Sequence, residues 1–131
     1  MNPYEKRIIY DLETVQIGCY NDMNNLHEYP QEVSRQILRK LIEWACQPQN
    51  EAPIILARKK IGEINKDWLK LYFLDVAKEC IDFEDYWEYS RLLEVIVLEL
   101  PEIKVSALKI CENSEDEDIQ EIIADYKEDV Q

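Results

Sequence analysis

The segment SEDEDIQEIIADY, residues 114–126, places four consecutive acidic residues directly before a helical apolar pattern. Ser114 and Glu117 have the spacing of a capping box, in which each side chain accepts a hydrogen bond from the other residue's backbone amide. The acids would then lie in the first turn, where the helix dipole favours negative charge. The apolar residues that follow share one helix face: Ile119, Ile122, Ile123, Tyr126 and Val130. The segment therefore predicts a helix start. A calcium loop would need a central glycine, which is absent here.

Similar apolar spacing extends through the rest of the chain. The clearest case has Leu69, Tyr72, Phe73, Val76 and Cys80 on one face of a helix that begins after Asn65, a candidate cap. Further helices are predicted at about 3–16, 31–47, 53–63, 84–99 and 101–111. Residues 17–29 show no period and predict an irregular loop. Two glycines in 131 residues and no sustained alternation argue against a sheet.

The expected fold is thus one all-α domain over residues 1–131, with about seven antiparallel helices joined by short breaks. Stacked helical hairpins and an irregular helical bundle both fit this pattern.

Neither an export signal nor a membrane span is expected. The longest apolar run, residues 92–100, contains Glu94 and Glu99 and is far shorter than the roughly 20 residues that a spanning helix needs. The four cysteines form no close pair and only one histidine accompanies them, so we expect reduced thiols and no metal site or cofactor. Together these features favour a cytoplasmic protein.

The formal charge of −13 is concentrated in the second part of the chain. Residues 1–82 contain 11 basic and 13 acidic residues, whereas residues 83–131 contain 4 basic and 15 acidic residues. Such an acidic region repels nucleic acid and attracts a basic protein partner, although the acids could also serve only solubility. Arg58, Lys59 and Lys60 could form a basic side, but interspersed acids favour a solvated surface.

Residues 99–126, ELPEIKVSALKICENSEDEDIQEIIADY, resemble the end of one HEAT-type (armadillo-type) hairpin and the start of the next. The preceding DFEDYWEYSRLLEVIVLEL would be the first helix of the earlier hairpin, and residues 51–79 are similar more loosely. The resemblance covers about 50–131, with tyrosine, isoleucine and tryptophan where such repeats usually have alanine and leucine. It implies protein binding along one face of the stack, with residues 1–49 as an atypical N-terminal part.

Motifs of catalysis are missing from the sequence. His27 is the only histidine, and no glycine-rich phosphate loop, HExxH or GxSxG motif is present. Acidic pairs such as Glu84 and Asp85 are common in any acidic helical protein. The sequence is therefore interpreted as non-enzymatic.

Two segments are the candidate partner-binding site. FEDYWEY, residues 83–89, has too many aromatic residues for one buried helix face, so some should be exposed at an interface, although ordinary core packing is an alternative. The candidate contact residues are Glu84, Asp85, Tyr86, Trp87, Glu88, Tyr89, Glu115, Asp116, Glu117 and Asp118. The predicted function is a non-catalytic protein-binding module, either an acidic inhibitor such as an immunity protein that neutralises a basic toxin or nuclease, or a general adaptor.

Overall fold

The computed structural model describes residues 2–47 and 49–128, and this part of the chain contains helices and no strand. The α-helices are α1 (Pro3–Glu13), α2 (Gln31–Ala45), α3 (Glu51–Gly62), α4 (Lys66–Cys80), α5 (Tyr86–Glu99), α6 (Lys104–Ile110) and α7 (Glu117–Glu128). Short 3₁₀ helices occupy Cys19–Asn21, Met23–Glu28 and Pro101–Ile103. The prediction of an all-α fold is confirmed.

The loop predicted at residues 17–29 is more ordered than its polar composition indicated. It contains two of the 3₁₀ helices and buries Cys19, Met23 and Leu26. Its polar side chains bond to each other, since the Asp22 carboxylate accepts hydrogen bonds from Asn25 Nδ2 and the Tyr29 hydroxyl, each at 2.7 Å. Prediction of an irregular loop was therefore wrong.

Several helix ends differ from prediction by two or three residues. Helix α1 ends at Glu13 instead of residue 16, because the Glu13 carboxylate turns to accept from the backbone amides of Gly18 and Tyr20, at 2.8 and 3.3 Å. Gly18 has a φ of 85°, a conformation that glycine adopts most readily. Helix α3 begins two residues before Pro53, which is tolerated there because the first amides of a helix have no intrahelical acceptor.

One connected cluster of buried side chains extends from Ile8 in α1 to Ile123 in α7. Helix α2 packs against α1, α3, α4 and α5, and α5 in turn packs against α3, α6 and α7. In α4 the predicted stripe holds, with Leu69, Phe73 and Val76 buried, and Asn65 caps the helix by accepting from the amide of Trp68 at 3.0 Å. A stacked antiparallel arrangement of hairpins stays a prediction. Val130, which the sequence pattern placed on the apolar face of the last helix, lies outside the described residues.

In the part of the chain that the structure describes, no helix combines the length and apolar character that crossing a membrane requires.

Candidate partner-binding groove

The two acidic segments singled out in the sequence lie side by side in the structure. The Ser114 hydroxyl, just before α7, donates to Glu84 Oε2, just before α5, at 2.6 Å. Next to this contact is a groove of about 400 Å³ between the start of α5 and one side of α7. Its lining residues are Tyr86, Trp87, Asp118, Glu121, Ile122 and Asp125.

Helix α5 supplies the aromatic wall of the groove. Asp85 caps this helix by accepting a hydrogen bond from the amide of Glu88 at 3.0 Å, which places Tyr86 and Trp87 in the first turn. Their rings meet edge to face with centroids 5.1 Å apart. Tyr86 is 43% exposed and Trp87 is 54% exposed. Large aromatic side chains with this much exposure are typical of interaction surfaces.

Helix α7 supplies the acidic wall. Ile119, Ile122 and Ile123 bury one side of the helix in the core, which leaves Asp118, Glu121 and Asp125 in a row along the groove. With a rise of 1.5 Å per residue, the row is roughly 10 Å long. None of the ion pairs among the described residues includes these three carboxylates. The groove therefore presents three negative charges and lacks a cation among its lining residues.

The capping box predicted for α7 was wrong. The cap is Asp116, whose Oδ1 accepts from the amides of Asp118 at 2.8 Å and Ile119 at 3.2 Å. Ser114 Oγ instead accepts from the Asp116 amide at 3.2 Å while it donates to Glu84. Since α7 begins at Glu117, only Glu117 and Asp118 lie in its first turn, and Glu115 precedes the cap.

The loop before α7 is held by one glutamine. Gln120 Nε2 donates to the carbonyl oxygens of Ser114 at 2.8 Å, Glu112 at 3.1 Å and Cys111 at 3.4 Å. These bonds fix the path of the chain into α7, and with it the position of the acidic row.

The aromatic segment 83–89 is divided between core and surface. Tyr89 is 0% exposed, its hydroxyl donates to the Ala107 carbonyl oxygen at 3.0 Å, and its ring lies 5.7 Å from that of half-buried Phe83. Tyr89 therefore cannot contact a partner, which corrects its place among the candidate residues. Tyr86 and Trp87 remain accessible.

Glu88 faces a different depression, of about 330 Å³, which Asp85, Cys46 and Cys80 also line. Burial is the main cause that raises the pKa of Glu88. A hydrogen bond from the Asp82 backbone lowers this pKa, whereas the nearby Asp85 and Asp82 carboxylates raise it further. The exposed Glu84, Glu115, Asp116 and Glu117 lie outside the groove lining.

Sequence reasoning missed Glu121, Ile122 and Asp125 as site residues. Their positions three, four and seven residues after Asp118 put them on one side of a helix, and this spacing could have identified them. The spacing does not show which helix lies across the groove, because the contact between α5 and α7 arises from tertiary packing.

The three consecutive cations of α3 do not form one basic side. Arg58 pairs with Glu94 of α5, whereas Lys60 is buried and donates to the Tyr20 carbonyl oxygen at 2.8 Å. Of the three, only Lys59 is exposed. These three residues therefore do not form the basic side that the sequence offered as a possibility.

The four cysteines are unpaired, and burial is the main cause that raises the pKa of Cys19 to about 11 and of Cys80 to about 12. Thiols with such pKa values are poor nucleophiles at neutral pH. Within residues 2–47 and 49–128, no three His, Cys, Asp or Glu side chains are grouped so that they could hold a metal ion.

Comparison with known proteins finds no matching family, no similar curated protein and no similar solved structure.

Proposed function

We propose that this protein is a non-catalytic protein-binding module and that the groove between α5 and α7 binds a basic segment of another protein. One observation carries the proposal, namely that two exposed aromatic rings line the same groove as three carboxylates that form no ion pair with any described residue.

The charge of the groove selects the class of partner. Carboxylates in a groove whose described lining residues include no cation repel phosphate and acidic peptides and attract lysine or arginine side chains. The exposed rings add apolar and cation–π contacts, each worth about 0.5–1 kcal/mol at an exposed site. A volume of about 400 Å³ is large enough for one or two long side chains of a partner.

A more specific form of the proposal is an inhibitor of a basic enzyme, such as an immunity protein that blocks a toxin or nuclease. Glu84, Glu115, Asp116 and Glu117 are exposed outside the groove and extend its negative field. Such a surface would increase the rate of encounter with a basic cleft and occupy the place of the phosphates. A cytoplasmic location, where the four thiols stay reduced, belongs to this proposal.

A HEAT-like arrangement of the hairpins is also part of the proposal. The successive packing of α5 against α6 and α7 supports it over the acidic part of the chain. In that arrangement the groove would lie between the first helices of two neighbouring hairpins, where such stacks bind partners.

A general adaptor is the second candidate. The observation that favours it is another groove, of about 520 Å³, in which the exposed Ile55 of α3 and Leu98 of α5 lie among charges of both signs. An adaptor that binds through this apolar groove would tolerate neutralisation of the acidic row.

Two variants of equal net charge distinguish these candidates. The groove variant replaces Asp118→Asn, Glu121→Gln and Asp125→Asn. The control replaces Glu28→Gln, Glu32→Gln and Asp75→Asn, exposed acids that do not line the groove and have no ion-pair partner among the described residues. Partners are recovered from a lysate of the source organism, and the affinity of each purified partner is measured by titration calorimetry.

For a basic partner we expect the groove variant to bind at least about tenfold more weakly than the control, which corresponds to roughly 1.4 kcal/mol. A partner that binds both variants equally would contradict the proposed site. If Ile55→Ser and Leu98→Ser then reduced its binding, the adaptor would be the better description.

A further inference from the structure

We infer that the groove between α5 and α7 is specific for arginine over lysine, so that the partner's anchor is an arginine side chain. This inference rests on the proposed function and adds the chemistry of the group that the site binds.

Both walls of the groove favour a flat cation. Ammonium and guanidinium groups both pair with carboxylates, but only guanidinium can stack its plane on an aromatic ring and direct a fork of N–H donors at a carboxylate. The rings of Tyr86 and Trp87 are perpendicular, with an interplanar angle of 88°. A planar group that enters the groove can therefore stack on the face of at least one ring, or lie in the corner where the face of one ring meets the edge of the other.

Ile122 adds an apolar surface between the acids of α7. The long aliphatic stem of an arginine can lie along such a surface while its charged end remains at the carboxylates. Guanidinium is also less strongly hydrated than ammonium, so that it loses less hydration on entering a groove with aromatic walls.

The length of the acidic row sets the spacing of a second cation. Asp118 and Asp125 are seven residues apart, a rise of roughly 10 Å along α7. A peptide in the polyproline II conformation advances about 3.1 Å per residue with three residues per turn, so cations three residues apart lie on the same side of the peptide and roughly match this distance. The best ligand is thus a segment with two arginines separated by two small residues.

The test uses three blocked peptides that differ only at these two positions, which are arginine, lysine or uncharged citrulline. Each is titrated at low salt and up to millimolar concentration into the full chain labelled with ¹⁵N. The indole N–H signal of Trp87 and the amide signals of Asp118, Glu121 and Asp125 report on the groove. Trp87→Leu serves as a second variant, because an exposed side chain can be replaced with little effect on folding.

We expect the arginine peptide to shift these signals with a dissociation constant about three- to tenfold lower than that of the lysine peptide. Citrulline should give no saturable shift. In the Trp87→Leu protein the ratio between arginine and lysine should decrease toward one.

The outcomes separate the inference from the proposal on which it rests. Equal affinities for arginine and lysine at the groove would overturn arginine specificity and leave the basic partner in place. An arginine preference unchanged by Trp87→Leu would overturn stacking on Trp87 as its cause. If no charged peptide shifted the groove signals, the proposed function itself would be wrong.

Discussion

Lys60 shows how one buried side chain holds residues 17–29, a segment whose sequence has no helical period. Its ammonium group donates to the Tyr20 carbonyl oxygen at 2.8 Å and lies 3.9 Å from the centre of the Tyr20 ring, although Tyr20 is 40 residues earlier in the chain. Lys60 also pairs with Glu63 at 3.4 Å. The sequence shows Lys60 only as one of three adjacent cations, because the acceptor is a backbone carbonyl that no residue pattern marks.

Replacing Lys60→Met should lower the free energy of unfolding by about 1–3 kcal/mol, since the Tyr20 carbonyl would lose its donor in a buried position. Lys59→Met is the matched control, because Lys59 is adjacent and exposed. Urea unfolding followed by circular dichroism measures both variants. Equal losses would show that Lys60 contributes nothing through its buried contacts.

Glu88 should make stability depend on pH in a direction that can be stated in advance. Its carboxyl pKa is raised in the folded protein, mainly by burial. The folded state therefore holds the Glu88 proton more tightly than the unfolded state does. Below the ordinary pKa of 4.5 Glu88 is protonated in both states and does not lower the free energy of unfolding. Above the raised pKa it is charged in both states, and the buried charge lowers the free energy of unfolding by its full amount.

Glu88→Gln should accordingly increase the free energy of unfolding at pH 7 and have little effect near pH 4. Unfolding by urea at both pH values measures this difference, and Glu28→Gln corrects for the loss of one exposed charge. A gain at pH 4 as large as that at pH 7 would contradict the assignment.

Helix α7 shows which features of an element a sequence can predict. Its apolar spacing correctly identified the helix and the buried Ile119, Ile122 and Ile123, because burial of one face requires that spacing. Its first residue was wrong, since Ser114, Asp116 and Asp118 can all cap a helix and local sequence does not rank them. Tertiary bonds decide, because Ser114 is engaged by Glu84 and Gln120 holds the loop carbonyls.

Removal of the cap gives a direct test of this assignment. Asp116→Ala should lower the free energy of unfolding by about 1 kcal/mol, because the amides of Asp118 and Ile119 lose their acceptor. Glu115→Ala removes the same charge one residue earlier and should cost less. If Asp116→Ala left the free energy of unfolding unchanged, the assignment of Asp116 as the cap would be wrong.

Across the whole molecule, the sequence predicted a part of each wall of the candidate site but not the contact between the walls. Residues 83–89 and 114–118 were singled out for aromatic content and charge, and of these the structure places Tyr86 and Trp87 on one side of the groove and Asp118 on the other. Tyr89 was wrongly included because the helical period alone does not show which aromatic residues of α5 face the core. Only the contact of Tyr89 with Ala107 shows that this side chain is buried. The approach of α5 to α7 depends on the entire core, which no local pattern contains.

The acidic row should also lower the stability of the free protein. Glu121 lies three residues after Asp118 and four before Asp125, and like charges at these spacings destabilise a helix by about 0.2–0.5 kcal/mol per pair. Asp125 is in the last turn of α7 as described, where the helix dipole disfavours negative charge. Asp118 is in the first turn, where the dipole favours it, so the test leaves this residue unchanged.

The double variant Glu121→Gln, Asp125→Asn should therefore raise the melting temperature by roughly 2–5 °C at low salt. The gain should disappear at about 0.5 M NaCl, where screening shortens the range of the repulsion to a few ångströms. Glu28→Gln with Asp75→Asn, which removes the same net charge from separate helices, should give a smaller gain in the same thermal denaturation series. Equal gains in both proteins would mean that only the net charge matters. A larger gain in the groove variant would show that the free protein carries a local electrostatic cost there, which a bound cation would relieve.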